Sequence, residues 1–307
     1  MKSPATKTRR RKVTKRGQRP VSRPETGKAI LRRIRRAEPA IGEPLSSVRW
    51  DDVLSAEKAR RRLRPDDLVF VGASNVTSTL WCPMQAVLRS RDEELMFFEC
   101  YLRDRLEYSR RLDPSHVGPH GVRDILTTGS RLRLEDIETV LQQQEAPRPV
   151  SPRVAGSADD PLARGRIAEM QHAERHPTIR WHFSWNRYVI VCEPDGIARQ
   201  FVYEFKHTGK RRNVPERKRA ALAQAGLYAR CFGRPHVRVQ VHVEEDNSIQ
   251  TFDQADQPAL ALGVLQTLET VDRGSLPAPP TSWKCSRCPE QYRTACRIRT
   301  DLPSIKG

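Results

Sequence analysis

An α/β fold is predicted by three features of the chain. Apolar residues alternate at strand period over Thr178 to Trp185, Arg187 to Ile197 and Arg199 to Lys206. A helix that Pro161 can open precedes these strands, and another that Pro215 opens follows them. The strong strand His236 to Val243 comes next, so helix, three strands, helix, strand is the order of a mixed sheet flanked by helices.

Taken in order, residues 1 to 40 hold fifteen Lys or Arg and two Glu, a net of 15 − 2 = +13 out of the chain's +18, which leaves +5 for the remaining 267 residues. The strings Arg9-Arg10-Arg11-Lys12 and Arg32-Arg33-Ile34-Arg35-Arg36 would repel one another in any compact state, so residues 1–45 read as a disordered basic tail. Without the apolar centre of a secretory signal, that tail is a solvating segment, a phosphate-binding or nuclear-import arm, or a mitochondrial presequence. No stretch reaches the ~20 apolar residues of a spanning helix, so no membrane partner is expected. Seven cysteines, an odd number, fit a reducing intracellular compartment: the cytoplasm of a prokaryote, or the nucleus or mitochondrion of a eukaryote.

Residues 46–150 read as a mainly helical N-terminal region. Trp81, Met84 and Leu88 share a helical face, and Pro83 places the start of that helix close to Cys82. Turn signals at Val117 to Gly121 precede a strand-like Ser130 to Leu134 and a short helix from Glu135 to Gln144. Pro147, Pro149, Pro152 and Ala155-Gly156-Ser157 mark a linker over 146–158. The core, 151–275, opens with a helix capped by Asp159 or Asp160 and running to about Arg175. After the three strands, the Pro215 helix ends near Gly233-Arg234-Pro235. Beyond His236 to Val243 come a strand at Ile249 to Phe252 and a helix from Gln257 to about Val271. Residues 276–307 form a Cys-rich C-terminal segment.

The chemistry concentrates at Pro194-Asp195-Gly196 and Glu204-Phe205-Lys206. On a strand, Phe201, Tyr203 and Phe205 point to one side, expected to be the core, while Glu204 and Lys206 project together on the other. A hairpin at Gly196 would bring the Asp195 carboxylate to theirs. Two carboxylates suit Mg²⁺ or Mn²⁺, and an adjacent ammonium can orient or deprotonate an attacking water and stabilise charge on a phosphate. In a chain with 30% charged residues a lone Glu-x-Lys is usually a solvated cross-strand pair, so the neighbours matter. Gln224 and Tyr228 share a helical face among the small residues Ala220, Ala221, Ala223, Ala225 and Gly226, which permit close packing on the sheet. Glu169 adds a third carboxylate from the preceding helix, with Gly165 expected to let that helix approach closely; its alternative is a surface Glu paired with Arg166 or Arg175.

Cys285-x₂-Cys288-x₇-Cys296 and the distant Cys82 can supply four thiolates, to an iron-sulfur cluster or to a structural Zn²⁺. Joining Cys82 to Cys285 closes a loop of about 200 residues, an entropic cost of ~5 kcal/mol that ligand bonds would offset. Cys100, Cys192 and Cys231 sit among apolar neighbours as core residues. Trp181, Phe183 and Trp185 alternate as a packed sheet face. Lys210-Arg211-Arg212 and Arg217-Lys218-Arg219 flank the Glu204-x-Lys206 strand, as a solvated loop or as a track for a nucleic-acid backbone.

Together, Gly165-x₃-Glu169, Pro194-Asp195, Glu204-x-Lys206, Gln224-x₃-Tyr228 and the four cysteines resemble the RecB-like branch of the PD-(D/E)XK nuclease superfamily. Within it the pattern is similar to the iron-sulfur exonucleases, CRISPR-associated exonucleases of Cas-four type and eukaryotic exonuclease V. The resemblance covers roughly residues 75 to 300. It implies a restriction-endonuclease-like core, a [4Fe-4S] cluster, a divalent metal, and hydrolysis of DNA, often from single-stranded ends, in repair or CRISPR adaptation. By motif, Asp195, Glu204 and the Phe205 carbonyl would bind metal with Glu169, Lys206 would be the catalytic lysine, and Gln224 and Tyr228 the accessory pair. Cys82, Cys285, Cys288 and Cys296 would hold the cluster. The family's first motif commonly ends in His, so His172, one turn beyond Glu169, competes for that role. A non-catalytic nucleic-acid-binding protein holding Zn²⁺ or an iron-sulfur cluster, and an RNase of the same fold, are the alternatives.

Overall fold

The computed structural model describes residues 68–112, 133–143 and 161–296, with positions 49, 51, 52, 54, 55 and 58. The basic tail, the turn signals at Val117 to Gly121 and the linker over 146–158 lie outside the described residues. The chain is a mixed α/β fold built on two sheets.

The first sheet has the order β1-β3-β2, with β1 at Val69–Gly72, β2 at Trp181–Trp185 and β3 at Tyr188–Cys192. Strand β1 corrects the helical reading of 46–150. Its four buried residues form a short apolar run whose periodicity does not separate helix from strand, and only pairing with β3 decides it. That pairing is parallel, from Val69 opposite Tyr188 to Gly72 opposite Val191. A Cβ on Gly72 would come within 2.3 Å of the Phe97 ring, so glycine lets the following helices cross the strand end. Strands β2 and β3 are antiparallel, turned by Asn186 at φ 49°.

Helices α1 (Ala73–Thr77), α2 (Pro83–Asp92) and α3 (Glu94–Leu112) follow β1, and Cys82 is the N-cap of α2 with Pro83 in its first turn, as expected. Helix α4 spans Leu134–Gln142, so Leu134 starts a helix and does not end a strand; the rest of the strand expected from Ser130 lies outside the described residues. Helix α5 is Pro161–His172.

The second sheet has the order β4-β5-β6-β7: Gly196–Ile197, Phe201–Thr208, His236–Val243 and Ser248–Ala255. The outer pairs are antiparallel and β5 with β6 is parallel, connected by α6 (Val214–Phe232). Gly233, at φ 62°, ends α6 in the left-handed conformation that favours glycine. Helices α7 (Pro258–Asp272), α8 (Ser282–Ser286) and α9 (Glu290–Ala295) complete the described chain.

The main core joins β3, β6, α6 and α7 with Val202 of β5. A smaller cluster of Tyr203, Phe205 and Ala168 lies beneath α5. The expectation for β5 is therefore reversed: the face carrying Val202 looks into the main core, and Tyr203 and Phe205 pack on the other side. Both faces of this central strand are covered, as in parallel sheets. Gly165 is a second correction, since a Cβ there would meet nothing within 4 Å and no close approach depends on it.

Asp272 at the end of α7 ties three elements together. It accepts hydrogen bonds from Tyr188 Oη at 2.6 Å, from Arg91 Nη2 at 2.9 Å and from the Arg187 guanidinium. Burial alone would raise its carboxyl, but the donors on Tyr188 and Arg187 hold it below the ordinary carboxylate range. Asp272→Ala removes the carboxylate that Tyr188, Arg91 and Arg187 share and is expected to cost about 3 kcal/mol. Because the folded pKa is depressed, this contribution is complete above the unfolded value near ~4 and fades as pH falls through the folded value. Melting curves should show the variant well below wild type at pH 7 and the two converging in acid; parallel curves at every pH would refute the assignment.

Candidate functional site

The acidic residues converge from three elements. Strand β4 pairs antiparallel with β5, Gly196 opposite Tyr203 and Ile197 opposite Val202. The reversal is closed by the Ala198 N–H to the Phe201 carbonyl at 2.9 Å, so the turn lies after β4 and not at Gly196. Gly196 instead permits a close approach, since a Cβ there would sit 2.5 Å from that of His176 and only glycine lets the two segments touch. Asp195, just ahead of it, accepts the Phe205 N–H at 2.6 Å through Oδ2, which fixes its carboxylate against the centre of β5.

Glu204 is 1% exposed. Its Oε1 accepts from the Lys206 ammonium, while Oε2 is buried with no hydrogen-bond partner among the described residues. Burial, reinforced by the charge of Asp195, pushes the Glu204 carboxyl up to about 8. Glu169 on α5 is also raised, first by burial and then by Asp195, with Lys206 opposing. Asp195 is raised by burial against the pull of Lys206. Three carboxylates thus lie in one another's field with a single ammonium between them. Burial works against the charge of Lys206, yet Glu204 and Asp195 outweigh it and hold its pKa above the ordinary value.

On α6, Gln224 Nε2 donates to Tyr228 Oη at 2.7 Å, and both side chains are buried. Burial, and after it the charges of Glu204 and Asp195, raise the Tyr228 hydroxyl. Gly226 packs on α7, where a Cβ would lie 3.2 Å from that of Ala261, so the small-residue stripe serves helix-helix contact as well as the sheet. His172 turns elsewhere: its ring stacks on His242 at 4.3 Å, and His242 Nδ1 lies 3.1 Å from His207 Nδ1. Of the two first-motif candidates, Glu169 is the one whose carboxyl feels the charges of Asp195 and Lys206. Phe205 supplies its N–H to Asp195 and lies between Glu204 and Lys206.

The four expected cysteines also meet. Cys82 caps α2, Cys285 lies on α8, the Cys288 N–H returns to the Cys285 carbonyl at 3.2 Å, and Cys296 follows α9. All four are free and line one cavity with Leu88 and Tyr292. Burial raises the Cys82 thiol, the N–H groups of Gln85 and Met84 at the start of α2 oppose that, and Cys296 and Cys285 add to it. Cys288 is raised by burial and by the other three. The segment is also tied to the N-terminal helices by Lys284 Nζ to the Trp81 carbonyl at 3.2 Å and Tyr292 Oη to Asp92 at 3.1 Å. Cys192 and Cys231 are core residues, and Cys100 is half-buried on α3. Among the described residues no group of three His, Cys, Asp or Glu is drawn tightly enough to hold a single metal ion.

The basic flanks are only partly free. Lys210, Arg212, Arg217 and Arg219 are exposed, but Arg211 is paired with Asp246 and takes Glu245 on its N–H at 3.0 Å. The Lys218 ammonium lies 4.0 Å from the centre of the Phe252 ring. Trp181 is buried and Phe183 and Trp185 pack on the core, as a sheet face should. Trp283, with 45% of its surface exposed, carries no signal in the sequence, where it is one more aromatic residue beside the cysteines.

Among the described residues no helix is long and apolar enough to cross a membrane. No protein-family model matches the chain, and no curated protein matches it. A solved structure titled "Crystal structure of SSO0001" is similar at a TM-score of 0.37 and 15% identity, over 75% of this chain and 86% of that one.

Proposed function

We propose that the chain is a metal-dependent DNA exonuclease with a PD-(D/E)XK core, acting on single-stranded ends, and that its cysteines hold a [4Fe-4S] cluster. The observation that carries this reading is Glu204 beside Lys206, its Oε2 buried and unpartnered among the described residues, with Asp195 fixed on the Phe205 N–H and Glu169 within their electrostatic field. A buried carboxylate oxygen with no donor is costly unless a cation takes that place. The donor set is all oxygen, which suits Mg²⁺ or Mn²⁺, with the Phe205 carbonyl as a further ligand.

A divalent cation bound there supplies Lewis-acid stabilisation of the phosphodiester oxygens. The chain's own residues do the rest. Lys206, held against Glu204, would present its ammonium to orient or deprotonate an attacking water and to offset negative charge developing on the phosphate. Tyr228, buried and anchored by Gln224, stands in the field of Glu204 and Asp195. The four cysteines in one cavity are softer donors, fitted to iron-sulfur or zinc chemistry and not to the hydrolytic metal.

Asp195→Asn keeps the acceptor for the Phe205 N–H but removes the negative charge. It should lower Mg²⁺-dependent digestion of end-labelled single-stranded DNA by about 10³-fold or more, with the melting temperature little changed. Equal digestion by the variant would remove Asp195 from the mechanism. RNA run in the same panel separates a ribonuclease, and cleavage of neither would favour a binding protein.

A further inference from the structure

Trp283 is the one exposed aromatic side chain among the described residues, and its surroundings are cationic. Trp81 meets it edge to face, with ring centres 5.0 Å apart and planes at 82°. The Arg287 guanidinium lies 5.4 Å from the Trp283 ring centre and the Lys284 ammonium 5.8 Å. Lys284 is itself anchored, 4.5 Å from the Trp81 ring and paired with Glu216 of α6 at 3.7 Å. That carboxylate is the acidic group in the patch, and it is engaged by Lys284.

An apolar partner would need apolar neighbours around the ring. An exposed indole braced by a perpendicular Trp81 ring and flanked by a guanidinium suits a nucleobase, which stacks on the ring while the cation takes the adjoining phosphate. The patch is also joined to the acidic site. Glu216 and Gln224 lie on the same helix, eight residues apart, or about 12 Å along its axis, and the exposed Arg217 and Arg219 stand on the intervening turn.

We propose that Trp283 is a base-stacking platform for single-stranded nucleic acid and that Arg287 is its phosphate contact, holding a strand a few nucleotides from the acidic residues. The substrate class rests on the hydrolase reading above; the platform itself is tested by binding alone.

The experiment is an anisotropy titration of the full chain with labelled oligo(dT) and with a blunt duplex, without added divalent cation, beside a Mg²⁺ digestion of the same oligonucleotide. Trp283→Ala should bind the single strand about tenfold more weakly with an unchanged salt slope, and Trp283→Phe within about twofold of wild type. Arg287→Gln should reduce the slope of log K against log salt by about 0.7. Trp283→Ala binding like wild type, or losing as much on the duplex, overturns the platform. Should Trp283→Ala melt early, Arg287→Gln decides, because it leaves the ring pair in place: an unchanged slope overturns the proposal. Wild type that binds without cleaving refutes the hydrolase reading and leaves the platform standing, whereas cleavage with Trp283→Ala binding unchanged refutes the platform alone.

Discussion

Lys206→Met is expected to abolish Mg²⁺-dependent DNA digestion, by about 10³-fold or more, while the chain still folds. The Lys206 ammonium faces Glu204 and lies in the field of Asp195 and Glu169, so its loss leaves three carboxylates with no cation among them. Removing one partner of a buried pair ordinarily costs about 3–5 kcal/mol. Here Glu204 has an escape, because its carboxyl is already pushed up to about 8 and can take a proton at neutral pH. The sign follows from that. Below pH 7 the variant's Glu204 is neutral and the loss of stability is small. Near pH 9 either an unpaired anion or an uphill protonation must be borne, and the melting temperature of the variant should fall further behind wild type. Lys206→Arg should not restore cleavage, since a planar guanidinium is not a compact point charge. Wild-type digestion by Lys206→Met would end the case for this site.

Cys288→Ser is expected to remove the bound group and with it most of the stability of the C-terminal segment. Purified wild type should be brown, with visible absorption that the variant lacks; a colourless protein carrying zinc would replace the cluster by a structural ion. Cys82→Ser should behave in the same way although about 200 residues separate the two, because both thiols face one cavity. The double variant should be little worse than either single one, as expected for ligands of one group. Loss of the clasp reopens a loop worth ~5 kcal/mol of closure entropy, which proteolysis of the C-terminal segment would report. Cys192→Ala is the control, since that thiol is buried in the core and should leave the colour intact.

Much of the core was legible in the sequence because its signals were local. Strand period, proline-opened helices and Gly233 marked β5, α6 and β6, and the strand His236–Val243 has the expected bounds. The acidic group was legible as spacing: Glu204 and Lys206 two apart, and Gln224 and Tyr228 four apart. The failures were tertiary. Strand β1 exists because β3 lies beside it, and nothing within Val69–Gly72 announces that partner. The two faces of β5 were exchanged because alternation gives the period of burial but not which helix covers which side, and here both sides are covered. Gly165 and Gly196 show the same limit. Each glycine suggested a close approach or a turn, but only the neighbours reveal that the first has none and the second touches His176. Trp283 was silent because exposure belongs to the folded chain and not to any window of residues.

The cysteine cavity sets an order of events during synthesis. Cys82 leaves the ribosome early, whereas Cys285, Cys288 and Cys296 emerge only after α7, so the strands and helices bearing the acidic residues are translated before the cavity has all its walls. A nascent chain can therefore pack its sheets before the fourth thiol of the cavity is made, and a product cut short before Cys296 would carry Glu169, Asp195, Glu204 and Lys206 without that thiol.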